Sequence, residues 1–508
     1  MNKNTREDKT FKTSLAVARH GGIAIVGSFL GNMIRFLTQV LLVRLLGPEK
    51  YGLYTIGFSI FTIAGQISQL GLSEGIIKFG SVYSTEKDQP RLKGLFKLAS
   101  ILTVIVAALT AIFIFISASH IAKNIFDKEE LEFVLKFFAV SIPFYVFAAI
   151  LTASARATQS IFYYSLMQYI LHPAIYIICL VVSCLVGLTI IHALKSFVLA
   201  WVLVAVFGAI AIFKISRVLL FKGKPIYEPQ KLFRFAMPVY IARFLPLVIN
   251  QFDKVILGKM VLAGDIGVYA AGGKIAAQIV IFMQAFNLIV APVIAEHFHN
   301  NKLKELNSLF KTVTRWTISL TLPFVLFIII YAELIMGMFG VEYVVGKNIL
   351  ILCCLAQFVN VCTGPLEYML IMGKQDLDLI NNCAFVLINI ILNYLFIKNY
   401  GILGAALALG LSMMIINLVR LLEMYILYRL WPYSANVLKS FLAAFITYGL
   451  VIMLNKFFPN LSWPIMSLLL LGSYAGLLCF MGFNHEEREI LVLIKRKVGG
   501  IFVSRDNP

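Results

Sequence analysis

The chain has 508 residues, 60% of them hydrophobic and 14% charged, where soluble domains carry roughly 45–50% and about 25%. That composition, with a mean hydropathy of +0.88, excludes a soluble globular protein. The net charge of +19, from 44 Lys and Arg against 25 Asp and Glu, does not imply nucleic acid, because so apolar a chain has no polar surface for a groove binder; it suits the anionic cytoplasmic leaflet and an anionic ligand.

A bilayer core of about 30 Å needs roughly 20 apolar residues per helix. Fourteen stretches qualify, at about 20–46, 53–81, 97–118, 133–155, 164–186, 193–213, 236–262, 267–294, 312–332, 347–372, 379–398, 402–427, 437–455 and 463–481. The pattern predicts an all-α, polytopic membrane protein with little chain left for a soluble domain. The first stretch is too long for a cleaved signal peptide, carries Arg35 near its middle and lacks a small-residue cleavage site, so it is expected to stay as the first membrane helix. Lys and Arg crowd alternate connections: five in the first 19 residues, four in 84–97, six in 214–235, four in 296–315 and five after 482. By the positive-inside rule both termini are cytoplasmic. Trp316, Trp431 and Trp463 fall at helix ends, where interfacial anchors belong.

Seven cysteines lie mostly within apolar runs with no CxxC and no His at ligand spacing, so they read as small core hydrophobes, with no metal site or cofactor expected. No GxxxxGK[ST] loop is present to bind ATP.

The two halves echo each other at an offset of about 215 residues: Arg44 with Lys259, Gly52 with Gly267 and Tyr54 with Tyr269, and more weakly 157–159 with 373–375 and 186–187 with 400–401. Six-helix units keep the same orientation, so the halves are expected to be parallel lobes related by an axis along the membrane normal. The expected organisation is a first lobe over 1–213, a basic cytoplasmic linker over 214–235, a second lobe over 236–427, and two extra helices with a cytoplasmic tail over 428–508.

Ionisable groups inside a membrane should face a cavity or a partner. In the first helix Ser28, Asn32, Arg35 and Gln39 are spaced 4, 3 and 4, one narrow stripe at 100° per residue. The matching helix of the second half carries Arg243, Asn250 and Lys254 on one stripe, with Pro246 placed to bend or break it. The second helix contributes Thr62, Gln66, Gln69 and Ser73 on one face, and the eighth adds Lys274 and Gln278. Glu74 with Lys78 and Arg420 with Glu423 read as structural helix pairs. Glu367 reads as a structural hydrogen-bonding group, and Asp253 as either a structural pair or a proton- or sodium-coupling acid. A cavity whose deep charges are Arg35, Arg243, Lys254 and Lys274 suits an anion; guanidinium groups match phosphate oxygens bidentately, and outward movement of an anion gains about 2.3 kcal/mol per charge per 100 mV.

The stretch Val43-Arg-Leu-Leu-Gly-Pro-Glu-Lys-Tyr-Gly-Leu-Tyr54, with Leu70-Gly-Leu72, Gln251-Phe-Asp-Lys-Val-Ile-Leu-Gly258 and Gly267-Val-Tyr269, resembles the polysaccharide (O-antigen-unit) flippases of the multidrug/oligosaccharidyl-lipid/polysaccharide exporter superfamily, whose fold is shared with the MATE drug antiporters. The resemblance spans nearly the whole chain and is most specific at Arg-Leu-Leu-Gly-Pro-x-x-Tyr-Gly. It implies two six-helix lobes around a cationic central cavity that alternates between inward-open and outward-open states, moving an undecaprenyl-pyrophosphate-linked oligosaccharide to the outer leaflet of the plasma (inner) membrane. The cationic cavity carries over to Arg35 and Arg243, with Lys254 and Lys274 in support and Asn32, Gln39, Gln66 and Asn250 beside them. Lipid-linked oligosaccharide and membrane lipids are the implied partners, protons or sodium the candidate coupling ions, and a polysaccharide polymerase or glycosyltransferases the candidate partner enzymes. A lipid II-type flippase differs from this reading in the glycan. A MATE-type drug exporter needs acidic cavity residues, and a glycan ligase or polymerase needs a large external loop where the outer loops here are short.

Overall fold

The computed structural model describes the backbone of residues 3–185, 187, 189–216, 223–366, 374–458 and 462–481; side chains of 1–25, 242–243, 245–246, 248–250, 288–289 and 375 lie outside the described residues. Among the described residues all regular structure is helical, in fifteen α-helices. They are α1 (Lys3–Gln69), α2 (Leu72–Thr85), α3 (Gln89–His120), α4 (Leu131–Ala157), α5 (Ile161–Ser165), α6 (His172–Cys184), α7 (Ile190–Ser216), α8 (Pro229–Met260), α9 (Ala263–Ala276), α10 (Ile281–His299), α11 (Leu303–Gly337), α12 (Lys347–Cys362), α13 (Gln375–Tyr428), α14 (Val437–Phe457) and α15 (Trp463–Phe480).

Among the described residues eleven helical segments are long and apolar enough to cross a membrane. Two of these, Val26–Gln69 and Asp376–Tyr428, are double-length and break in the middle. The first turns at Gly47 (φ 70°, ψ 169°), just before Pro48, and the second at Gly401 (φ 56°, ψ −135°), conformations that cost glycine little and other residues much. Gly187, the repeat partner of Gly401, also has positive φ. Helix α8, 32 residues long, spans more than a bilayer core at 1.5 Å per residue; its charged stripe lowers its hydropathy, and it runs through Pro246 as one helix. With each double-length segment counted twice and α8 included, the fourteen expected crossings are accounted for, and the chain is a multi-pass membrane protein.

The described chain packs as two compact units, one comprising 1–273, 336–349 and 379–412, the other 274–335, 350–378 and 413–508. The lobes expected from the repeat are defined by sequence offset rather than by packing. In the first unit, Leu72, Ile76, Leu92, Phe96, Ile150 and Leu232 form one core of α2, α3, α4 and α8. Tyr54, Phe58, Phe61, Phe138 and Phe197 form an aromatic cluster with centroids 5.1–6.2 Å apart. Since lipid is as apolar as leucine, helices in a membrane associate through close packing and polar ties rather than through the hydrophobic effect. Such a tie joins the two arms of α13, where Asn393 donates to Asn389 (2.8 Å) and Asn389 to Ser412 (3.4 Å).

The end of the basic 214–235 connection docks on the α2–α3 turn. The Ile226 N–H donates to the Pro90 carbonyl (3.1 Å). Tyr83 donates to the Glu228 carboxylate and accepts from Lys231 (3.1 Å), and Glu228 pairs with Lys231 (3.3 Å) and Arg91 (3.5 Å). The Tyr83 hydrogen bond, with help from the two cations, holds the Glu228 carboxyl below its usual range. A depressed carboxylate contributes stability above the unfolded value of about 4.3 and loses it as pH falls through the folded one. These groups are half exposed, so Glu228→Gln is expected to cost about 1 kcal/mol or less. Thermal melts should show the difference at pH 7 and lose it as pH falls below the unfolded value of about 4.3 and on through the lower folded one.

In the second unit the core is Val290, Ile294, Leu306, Phe310, Leu421 and Met424. Ser319 bonds Ser440 (2.6 Å), and Tyr474 donates to the Ser319 carbonyl (2.9 Å), tying α11 to α14 and α15.

Candidate functional site

The polar stripe of α1 divides on folding. Asn32 and Arg35 are exposed on the helix surface and Ser28 is half buried, whereas Gln39 turns to donate to the Tyr51 hydroxyl. Arg35 Nη2 lies 3.4 Å from the Tyr169 carbonyl, which belongs to a π-helical run, Leu166–Leu171, between α5 and α6. Such a run is a common feature of functional sites. Helix α1 reaches it because residue 31 is glycine: a Cβ there would stand 2.2 Å from the Tyr169 oxygen. Among the described residues Arg35 pairs with no carboxylate.

The other basic candidates are placed differently. Lys254 Nζ lies 3.2 Å from Asp253, and Asp253, 7% exposed, also accepts from the Lys254 N–H (2.8 Å) and the Tyr269 hydroxyl (2.7 Å). Asp253 and Lys254 therefore form a close ion pair. Lys274 is exposed on α9, where its carbonyl accepts from Gln278 (3.2 Å). The side chains of Arg243 and Asn250, and Glu367 as a whole, lie outside the described residues. One helix pair drawn from the sequence does not form: Lys78 sits over the Phe235 ring (3.8 Å) rather than beside Glu74, a cation–π contact being the better use of an ammonium at an apolar surface. Arg420 reaches across to Asp378 (3.4 Å), a partner 42 positions away that helix spacing does not show. Arg315, counted with the loop charges, is buried.

The face of the second crossing leads to a second site, a polar cavity of about 310 Å³ inside the first unit. Gln66, Gln69 and Ser73 line it as their spacing suggests, while Thr62 bonds back to the Phe58 carbonyl (2.7 Å) and takes no part. Its other polar walls, Tyr145, Thr152 and Arg156 of α4 and Trp201 of α7, come from helices that read as plainly apolar. Gln69 donates to Tyr145 (3.2 Å), Tyr145 meets Trp201 edge to face (4.8 Å), and His172 stacks on the far side of that network at 4.0 Å from Trp201. His172 is an aromatic neighbour of this network.

A chain that is helical throughout its described residues and crosses a membrane many times, with an exposed cationic residue and a polar cavity on its crossing helices, is consistent with a membrane transporter. Residues 17–298 match the family described as polysaccharide biosynthesis protein, which is more than half the chain, so the chain belongs to that family; residues 238–395 match MatE. A Shigella flexneri protein described as "Putative O-antigen transporter" is 22% identical over 404 residues, covering 76% of this chain and 92% of that protein. A Haloferax volcanii protein described as "Probable low-salt glycan biosynthesis flippase" is 24% identical over 194 residues, 37% of this chain and 41% of that one. The solved structure of a lipid II flippase, MurJ, in an inward closed conformation superposes with a TM-score of 0.70 at 16% identity over 90% of this chain and 98% of that one. The chain is thus a transporter of the MOP superfamily rather than an enzyme.

Proposed function

We propose that this chain is a flippase that moves a polyprenyl-pyrophosphate-linked oligosaccharide, a polysaccharide repeat unit, from the inner to the outer leaflet of the plasma membrane, with both termini cytoplasmic. The lobes are 1–213 and 236–427, joined by the linker 214–235, with 428–508 added outside the repeat, and they alternate access to a cationic central cavity. The observation that carries the reading is Arg35: a guanidinium exposed on a membrane-crossing helix and unpaired with any carboxylate among the described residues. Lipid alone would penalise it by a few kcal/mol, while a pyrophosphate would complete its hydrogen bonding. The relatives described as an O-antigen transporter and a glycan flippase support a lipid-linked glycan as the cargo. Arg243, Lys254, Lys274, Asn32 and Asn250 are the further residues proposed for the cavity wall, and Asp253 the acid proposed for proton or sodium coupling.

The test is flipping of a fluorescent polyprenyl-pyrophosphate oligosaccharide in proteoliposomes. Arg35→Ala and Arg243→Ala are each expected to lower the rate at least tenfold with normal insertion, and Arg35→Lys to retain part of it, because an ammonium keeps the charge but not the bidentate fork. Wild-type rates in both alanine variants would remove the cationic site.

A further inference from the structure

Among the described residues the lining of the polar cavity does not include Arg35 and carries one charge of each sign, Glu74 and Arg156, so the pyrophosphate site does not explain it. Neither an anion nor a cation is favoured by such a wall. What remains is neutral hydrogen-bonding capacity. Gln66 and Gln168 line the cavity and make no hydrogen bond among the described residues, leaving two N–H donors and a carbonyl on each amide. Gln69 uses one donor on Tyr145 and accepts from Ser73 (3.3 Å), which fixes its plane and leaves its second N–H. Beside these amides the Tyr145 and Trp201 rings line the cavity, and aromatic surface packs well against C–H groups.

Planar amides next to aromatic faces match a pyranose ring, which presents hydroxyls around its rim and C–H groups on its faces. About 310 Å³ is at the low end for small-molecule sites, about 300–1,000 Å³. One sugar ring fits that space. A glycan crossing the membrane must have its water replaced hydroxyl by hydroxyl, and a wall with spare amide valences does this without adding charge.

We infer that this cavity is a sugar subsite that receives one neutral pyranose of the cargo glycan, recognised by Gln66, Gln69 and Gln168 beside the Tyr145–Trp201 pair. The inference rests on the flippase reading and adds to it a place where the glycan, rather than the pyrophosphate, is read.

The test is equilibrium binding to the purified full chain of two fluorescent lipids, polyprenyl pyrophosphate without sugar and the same lipid carrying N-acetylglucosamine, glucose or galactose. Wild type is expected to bind at least one glycosylated lipid about tenfold or more tightly than the bare one. Gln69→Leu is expected to erase that preference and leave bare-lipid affinity within twofold, whereas Arg35→Ala weakens both lipids together. Gln66→Leu, which breaks no side-chain hydrogen bond among the described residues, is the second variant should Gln69→Leu fail to fold. A wild type without preference, or a preference that survives both Gln variants, overturns the sugar subsite. So does equal weakening of both lipids by the Gln variants, which would make the cavity a packing feature. A wild type that binds neither lipid overturns the flippase reading itself.

Discussion

Alanine at Gly52 or at Gly267 is expected to destabilise the protein by about 1–3 kcal/mol, the range for overpacking a filled site. A Cβ on Gly52 would stand 1.8 Å from the Ala263 carbonyl oxygen, and one on Gly267 would stand 2.0 Å from the Pro48 carbonyl oxygen. Both obstacles are backbone, so no rotamer change relieves them. Pro48 and Ala263 are separated by the same 215 positions as Gly52 and Gly267, so the contact is reciprocal, each repeat resting its glycine on the other's turn as in a two-fold interface. One crossing then serves both glycines, and the double variant should lose less than the sum of the singles, because the first substitution already opens the gap. Melting of the purified protein measures this directly. Melting temperatures unchanged in both single variants would mean that the two turns do not meet.

That crossing also shows what can be read from a sequence of this kind. Hydropathy located the eleven apolar segments found among the described residues, because burial in lipid needs only length and apolar content, and the fixed offset paired Gly52 with Gly267 before any contact was visible. The offset could not show that the paired glycines touch. The stripe of α1 was legible as a set of angles, and Asn32 and Arg35 are indeed exposed; the same angles could not show that Gln39 is taken by Tyr51, which sits beyond the Gly47 break. The polar cavity was half legible. Gln66, Gln69 and Ser73 stand out against an apolar helix, but Thr152 and Trp201 are isolated polar groups on helices without a stripe, and only the packing of α4 and α7 against the second crossing brings them to one wall. Lys78 failed for the complementary reason, since its Phe235 partner lies 157 positions along the chain.

Asp253→Ala is expected to have a larger effect than either glycine change. Asp253 is buried and accepts from Tyr269, from the Lys254 N–H and from the Lys254 ammonium, so its removal takes an acceptor from a hydroxyl and a cation that are both shielded from water. Breaking a buried pair in this way costs about 3–5 kcal/mol, which should appear as poor yield and a low melting temperature. Replacing both charges, as Asp253→Leu with Lys254→Met, should recover a good part of the loss, because a matched apolar pair no longer bears the cost of burying ions. Asp253→Asn separates tethering from coupling. The amide oxygen can still accept from Tyr269, so the fold is expected to persist while the charge is gone. Flipping that loses its dependence on a proton or sodium gradient in this variant, at a melting temperature near wild type, would assign ion coupling to Asp253. Gradient dependence retained in full would leave Asp253 as the tie between α8 and α9.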